Sequence, residues 1–303
     1  MAINTVQAII NGTTYNLTKN GTTGKYEATI SAPSKSSFNN TGGFYDVTIK
    51  AVDVAGNTKQ VNSTDSIVGS KLKLIVKEKV SPVITITSPT ANAYISNNKP
   101  VIKWTVTDDD SGVDVNTIKL QIDSQTAVTG SAIIKTAITG GYSCEYTPTI
   151  ALTDGSHTIK IDASDNDGNV ATQKTVAFNV DTIPPVLSVT SPVDNLITNV
   201  VNINVIGTTN DASNSPVTLT IKHNSNTMQT VTVETNGSFT KAFTLVEGAN
   251  TFVITSTDAG GLTTTVTRNV TLDTIAPTIS DVTLTPNPVD AGQTYIISVT
   301  VTD

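Results

Sequence analysis

GGFYDVTIKAVDVAGN (42–57) returns in the same phase as TDGSHTIKIDASDNDGN (153–169) and VEGANTFVITSTDAGG (246–261). In each copy a glycine stands ten residues before one aspartate: Gly43 before Asp53, Gly155 before Asp165, Gly248 before Asp258. Val47, Ile159 and Phe252 share a position, and Ile49, Ile161 and Ile254 share the next but one. Ala51, Ala163 and Ser256 follow in register. Alternation with a period of two marks a strand with one buried face. Each aspartate then leads into a Gly-containing turn, where Asp and Gly accept tight backbone geometry. The repeat therefore predicts an all-β chain.

A second signature marks where each repeat opens. SPVITITSP (81–89) matches PPVLSVTSP (184–192), and TIAPTISDVTLTPNP (274–288) begins another copy. Proline has no N–H to donate, so it belongs at first or edge strands and in linkers. VDTIPP (180–185) and LDTIAP (272–277) read as short, stiff joints. These marks predict domains at 1–79, 80–181 and 182–273, with a two-strand partial repeat at 274–303. Domains of that size, broken at short intervals by Gly, Asn, Asp or Ser, suit tandem immunoglobulin-like antiparallel β-sandwiches in an elongated array. The tail repeats part of the second domain: Ile102, Trp104 and Val106 match Ile297, Val299 and Val301. Two strands cannot bury such a face alone, so the expectation is either a repeat cut short or a C-terminal tail at 274–303 that pairs with another sheet edge.

Composition agrees with this picture. Hydrophobic residues make up 37% and charged residues 14% of the 303 residues, so the chain can build several thin cores and is not disordered. A net charge of −7 without any basic stripe speaks against a nucleic-acid partner. No apolar run is long enough for a membrane span. The opening MAINTVQAIINGTTYNL alternates from the start and lacks the pattern of a signal peptide. The expectation is export by lysis, or a leader that lies outside this stretch. Cys144 is the single cysteine, which excludes an internal disulfide, and it reads as a small core residue.

Taken in order, INGTTYNLTKNGTTGKYEATISAP (10–33), GGFYDVTIKAVDVAGN, DDDSGVD (108–114) and TPNPVDAGQTYIISVTVTD (285–303) resemble bacterial Ig-like repeat proteins. In particular the order resembles Ig-like proteins encoded among tail genes of phages of Gram-positive bacteria. The resemblance implies a non-enzymatic structural or adhesive protein of a virion, extracellular after lysis. Its implied partners are other virion proteins or host cell-surface glycans and proteins. The alternative is an Ig-like spacer or binding region of a secreted bacterial adhesin or polysaccharide-degrading enzyme, placed at the bacterial cell surface. The family brings no catalytic residues and no cofactor.

The densest acidic stretch, Asp108-Asp109-Asp110-Ser111-Gly112-Val113-Asp114, is the one candidate for metal chemistry. Calcium takes six to eight oxygen ligands, which alternate carboxylates on a turn can begin to supply. Asp108, Asp110 and Asp114, with Asp165 and Asp167 from a neighbouring loop, form the candidate calcium set. The competing reading is a solvated turn whose Asp and Ser bond their own backbone. Equivalent stretches elsewhere are weaker. Asp165-Asn166-Asp167-Gly168-Asn169 lacks the closing Glu and flanking helices of an EF-hand, and Gly21-Thr22-Thr23-Gly24-Lys25 has the wrong spacing for a phosphate loop. His157 and His223 stand in different expected domains, which points to surface or edge residues rather than a catalytic base. Trp104 falls in the inward phase and reads as core.

Overall fold

The structure, a computed structural model, describes residues 2–213 and 215–303. The chain divides into two compact units, residues 1–93 with 98–180, and residues 94–97 with 181–303. Nearly all regular structure is β-strand, and most of the paired strands run antiparallel. No helix among the described residues is long and apolar enough to cross a membrane.

The three copies of the repeat form the strands Tyr45–Asp53, Gly155–Asp162 and Gly248–Thr257. Their alternation maps directly onto burial in the later two. His157, Ile159 and Ile161 point inward from one, and Asn250, Phe252, Ile254 and Ser256 from the other.

In the second repeat Ile102–Thr107 lies between Val83–Ser88 and Gly141–Tyr146, and Ile134–Ile138 closes that sheet. Trp104 faces Ile86 on one side and Cys144 on the other, so a line of inward residues crosses three strands. The facing sheet contains Lys119–Ile122, Gly155–Asp162 and Lys174–Val180, from which Leu120, Ile159, Ile161 and Phe178 are fully buried. The two sheets thus enclose one apolar layer, as a sandwich requires.

The third repeat follows the same plan. One sheet orders Val186–Ser191, Asn202–Asn210 and Ser238–Thr244; the other orders Leu196–Thr198, Thr263–Leu272, Gly248–Thr257, Thr218–His223 and Gln229–Val231. Leu196–Thr198 runs parallel to Thr263–Leu272. Val205, Leu219, Ile221, Phe239, Phe252 and Ile254 are the centre of its core.

The first repeat departs from the two-sheet pattern expected for 1–79. Its strands make one hydrogen-bonded sheet, ordered Tyr26–Glu27, Thr13–Lys19, Ile3–Ile10, Tyr45–Asp53 and Thr58–Val61, with Lys73–Leu74 pairing Tyr45–Asp53. Among its described large apolar residues only Ile10 and Tyr45 are buried, while Val47, Ile49 and Ala51 stay half-buried. The stretch SAPSKSSFNNTGG (31–43), between Tyr26–Glu27 and Tyr45–Asp53, is rich in turn-forming residues and holds no strand. The closing hairpin pairs Thr278–Thr285 with Ile296–Thr302, and every residue of it is exposed.

Candidate functional site

The acidic loop at 108–114 begins where the strand Ile102–Thr107 ends, and the turn at 165–169 follows the repeated strand at the same end of the second sandwich. A bridge between Val113 and Asp165 ties the two together. Of the five aspartates expected to gather there, two do. Asp108 and Asp165 are buried, and together with Glu78 each offers a carboxylate oxygen within 4.8 Å of the others. Glu78 comes from the joint before the second sandwich and supplies the glutamate that the loop itself lacks.

The remaining three accept hydrogen bonds of their own. The Ser36 N–H donates to both oxygens of Asp110, at 3.1 Å each. Asp114 Oδ1 accepts from the backbone and side chain of Asn116, at 3.0 and 3.2 Å, a turn that closes on itself. Asp167 Oδ2 accepts the Glu78 N–H at 3.0 Å. Glu78, Asp108 and Asp165 thus come together at this end of the second sandwich, and Asp110, Asp114 and Asp167 are not grouped with them.

Within that trio each acid already accepts hydrogen bonds. Asp108 Oδ1 takes the N–H groups of Asp110 and Gly112, at 3.0 and 2.8 Å. Asp165 takes both the backbone and the side-chain amide of Asn169, at 2.7 and 2.6 Å. Glu78 Oε1 accepts the Ser111 N–H at 2.7 Å. The acids thus link the first and second repeats. Lys77 Nζ donates to the Asp167 carbonyl at 3.1 Å, Asn39 Nδ2 to the Asp110 carbonyl at 2.6 Å, and Asn169 Nδ2 to the Glu78 carbonyl at 3.3 Å. The arrangement is a polar clamp between two repeats of one unit.

Glu78 was not visible from the density of acids in sequence. A positional signal does exist, because Glu78 stands four residues before Pro82, which opens the second repeat.

The histidines sit elsewhere, and both are buried rather than at the surface. His157 Nδ1 meets Asp123 Oδ2 at 2.8 Å and Nε2 meets the Thr153 carbonyl at 2.7 Å. His223 Nε2 meets Asn250 Oδ1 at 3.0 Å, with its ring stacked on Phe252 at 4.4 Å. Asp123 and Asn250 stand 34 and 27 residues away from the histidines they meet, which adjacency in sequence cannot show. Trp104 and Cys144 lie in the core as expected, and burial pushes the Cys144 thiol up to about 11 against a smaller opposing effect of Lys135.

Residues 82–161 match a bacterial Ig domain. This Ig match covers most of the second sandwich. Residues 185–274, the third sandwich, match glucodextranase domain B. A chitinase, ChiA of Flavobacterium johnsoniae, is 29% identical over 195 residues, which is 61% of this chain and 12% of ChiA. The chain therefore spans a small part of that relative's length. Among solved structures, the fibronectin(III)-like modules of Clostridium thermocellum CbhA share 16% identity at a TM-score of 0.39, covering 63% of this chain and 94% of theirs. The I67–I69 fragment of the titin I-band shares 13% identity at 0.34, covering 89% and 88%.

Proposed function

We propose that this chain is a non-enzymatic Ig-like region that spaces and holds other parts of an extracellular assembly. The observation that carries the reading is the clamp around Glu78, Asp110 and Asp167. There, side chains conspicuous for their charge are used as hydrogen-bond acceptors between consecutive repeats. A spacer needs neighbours held in register, and charge-assisted hydrogen bonds to backbone N–H groups do that.

Two settings suit such a spacer. In the first it belongs to a secreted bacterial adhesin or polysaccharide-degrading enzyme and lies beside a catalytic or anchoring region. The names of the matched proteins, a chitinase and a glucodextranase domain, support this setting. In the second it belongs to a phage virion and touches host cell-surface glycans, supported by the order of motifs from INGTTYNL to the closing VTVTD. An antibody to the chain, applied to a culture that expresses the gene, separates the two. Label on cells or in the secreted fraction supports the first setting. Label on tailed particles released by lysis supports the second. Label confined to the cytoplasm of intact cells overturns both.

A further inference from the structure

The turn after the repeated strand closes differently in the third repeat. In the first, the Asn57 N–H and side-chain amide donate to the two oxygens of Asp53, both at 2.9 Å. In the second, Asn169 treats Asp165 in the same way. In the third, Leu262 occupies that place. Its N–H donates to Asp258 Oδ1 at 2.8 Å, but an aliphatic side chain has nothing to give Oδ2. Asp258 Oδ2 is buried and has no partner among the described residues.

Two more acids share this condition. Asp211, just after the strand Asn202–Asn210, receives the Ser213 N–H at 2.8 Å and the Ser213 hydroxyl, both on Oδ1. Asp181, in the joint before the third sandwich, receives the Ile183 N–H on Oδ1 at 3.3 Å. Oδ2 of each is buried without a partner among the described residues. Asp181, Asp211 and Asp258 are 1%, 7% and 5% exposed, and one carboxylate oxygen from each lies within 4.8 Å of the others. Among the described residues no Lys, Arg or His forms an ion pair with them. Buried anionic groups without donors or counter-charge are costly, and three side by side also repel one another.

We propose that Asp181, Asp211 and Asp258 bind a hard divalent cation, with calcium the ion that fits. The donors are oxygen alone, with no imidazole or thiolate, which selects hard ions. Calcium accepts irregular sets of six to eight oxygens, so water and backbone carbonyls can complete its shell. Glu78, Asp108 and Asp165 repeat this arrangement in the second repeat, but there Asn169 occupies both oxygens of Asp165. The ion belongs to the repeat whose turn lacks the asparagine. The site goes beyond the spacer reading and does not depend on it.

Sequence spacing supports the correspondence. The steps from 78 to 108 and from 181 to 211 are both 30 residues, and Asp181 stands four before Pro185 as Glu78 does before Pro82. Asp273 and Asp303 repeat both relations, with Pro277 four residues on and the same step of 30.

Calorimetric titration of the EDTA-treated full chain with calcium chloride tests the proposal. The expected result is binding with Kd on the order of 10⁻⁴ to 10⁻³ M, the range of extracellular calcium modules, and a rise in Tm with calcium. Asp258→Asn removes a charged ligand. Leu262→Asn keeps all three carboxylates but restores the amide that would occupy Oδ2. Each is expected to weaken binding by about tenfold or more, while Glu78→Gln leaves it unchanged. Leu262→Asn changes a half-buried turn residue and leaves every carboxylate in place, and circular dichroism of both variants separates a lost site from a lost fold. The proposal falls if no heat or Tm change occurs up to about 10 mM calcium. It also falls if magnesium binds more tightly, or if Glu78→Gln abolishes binding that Leu262→Asn leaves intact.

Discussion

Trp104 shows how much one inward position carries. It is 1% exposed and faces Ile86 and Cys144 across neighbouring strands, so its loss opens a void that two β-sheets cannot collapse to fill. Trp104→Ala should lower the stability of the second sandwich by about 3–5 kcal/mol, read by urea denaturation. The indole N–H has no hydrogen-bond partner among the described residues, so Trp104→Phe forfeits volume only and should cost clearly less. Beside it, the Cys144 thiol is held neutral by burial, which raises its folded value from 9.0 to about 11. The resulting stability is fully present below pH 9.0 and fades as pH rises toward about 11. A thiol reagent at pH 8 should therefore label native Cys144 only as fast as the second sandwich opens; immediate labelling would contradict its burial.

At the scale of elements, turns and close approaches set the limits. Asp53 titrates below its ordinary 3.8, chiefly because the side-chain amide of Asn57, and then its N–H, donate to the charged form. A lowered folded value stabilises above the unfolded pKa and is lost as pH falls through the folded one. Asn57→Ala should thus move the Asp53 titration up toward 3.8, as followed by NMR of its carboxyl carbon. Gly207 answers to space rather than charge. A Cβ there would sit 2.2 Å from the Ser188 carbonyl and 2.6 Å from the Phe239 ring, inside a strand paired on both sides. Gly207→Ala should destabilise the third sandwich by about 1–3 kcal/mol in thermal melts, through the shift it forces on Val186–Ser191. Gly12, in the open hairpin turn between Ile3–Ile10 and Thr13–Lys19, meets nothing within 4 Å, so a change there strains only its backbone at φ +75°.

At the scale of the molecule, the clamp between the first two repeats supports the first against the second. The first repeat is one sheet with a thin core, so it relies on that clamp more than the second does. Asp110→Ala leaves the Ser36 N–H without its carboxylate. Because the group is partly exposed, the expected loss is modest, about 1 kcal/mol. Calorimetry should show the transition of the first repeat moving to lower temperature while that of the second stays in place. Movement of both together would mean that the two repeats unfold as one.

The amino-acid order alone determined the strands. A period of two in VTIKA, TIKID and FVITS, a glycine before each and an Asp-led turn after each are local properties, and local geometry obeyed them. The inward phase of Trp104 and Cys144 followed from the same alternation. Tertiary structure decided which acids meet. Asp110 and Asp167 look like metal ligands in a dense run, yet each finds a backbone N–H from the preceding repeat or joint, and a carboxylate so engaged has little reason to seek an ion. Glu78 and Asp181 stand alone in sequence, and only folding brings each to a strand end 30 residues on and to a later turn. Leu262 is an unremarkable letter until the turn closes and leaves Asp258 Oδ2 without a donor. Periodicity encodes which way a side chain faces; it does not encode what waits for it there.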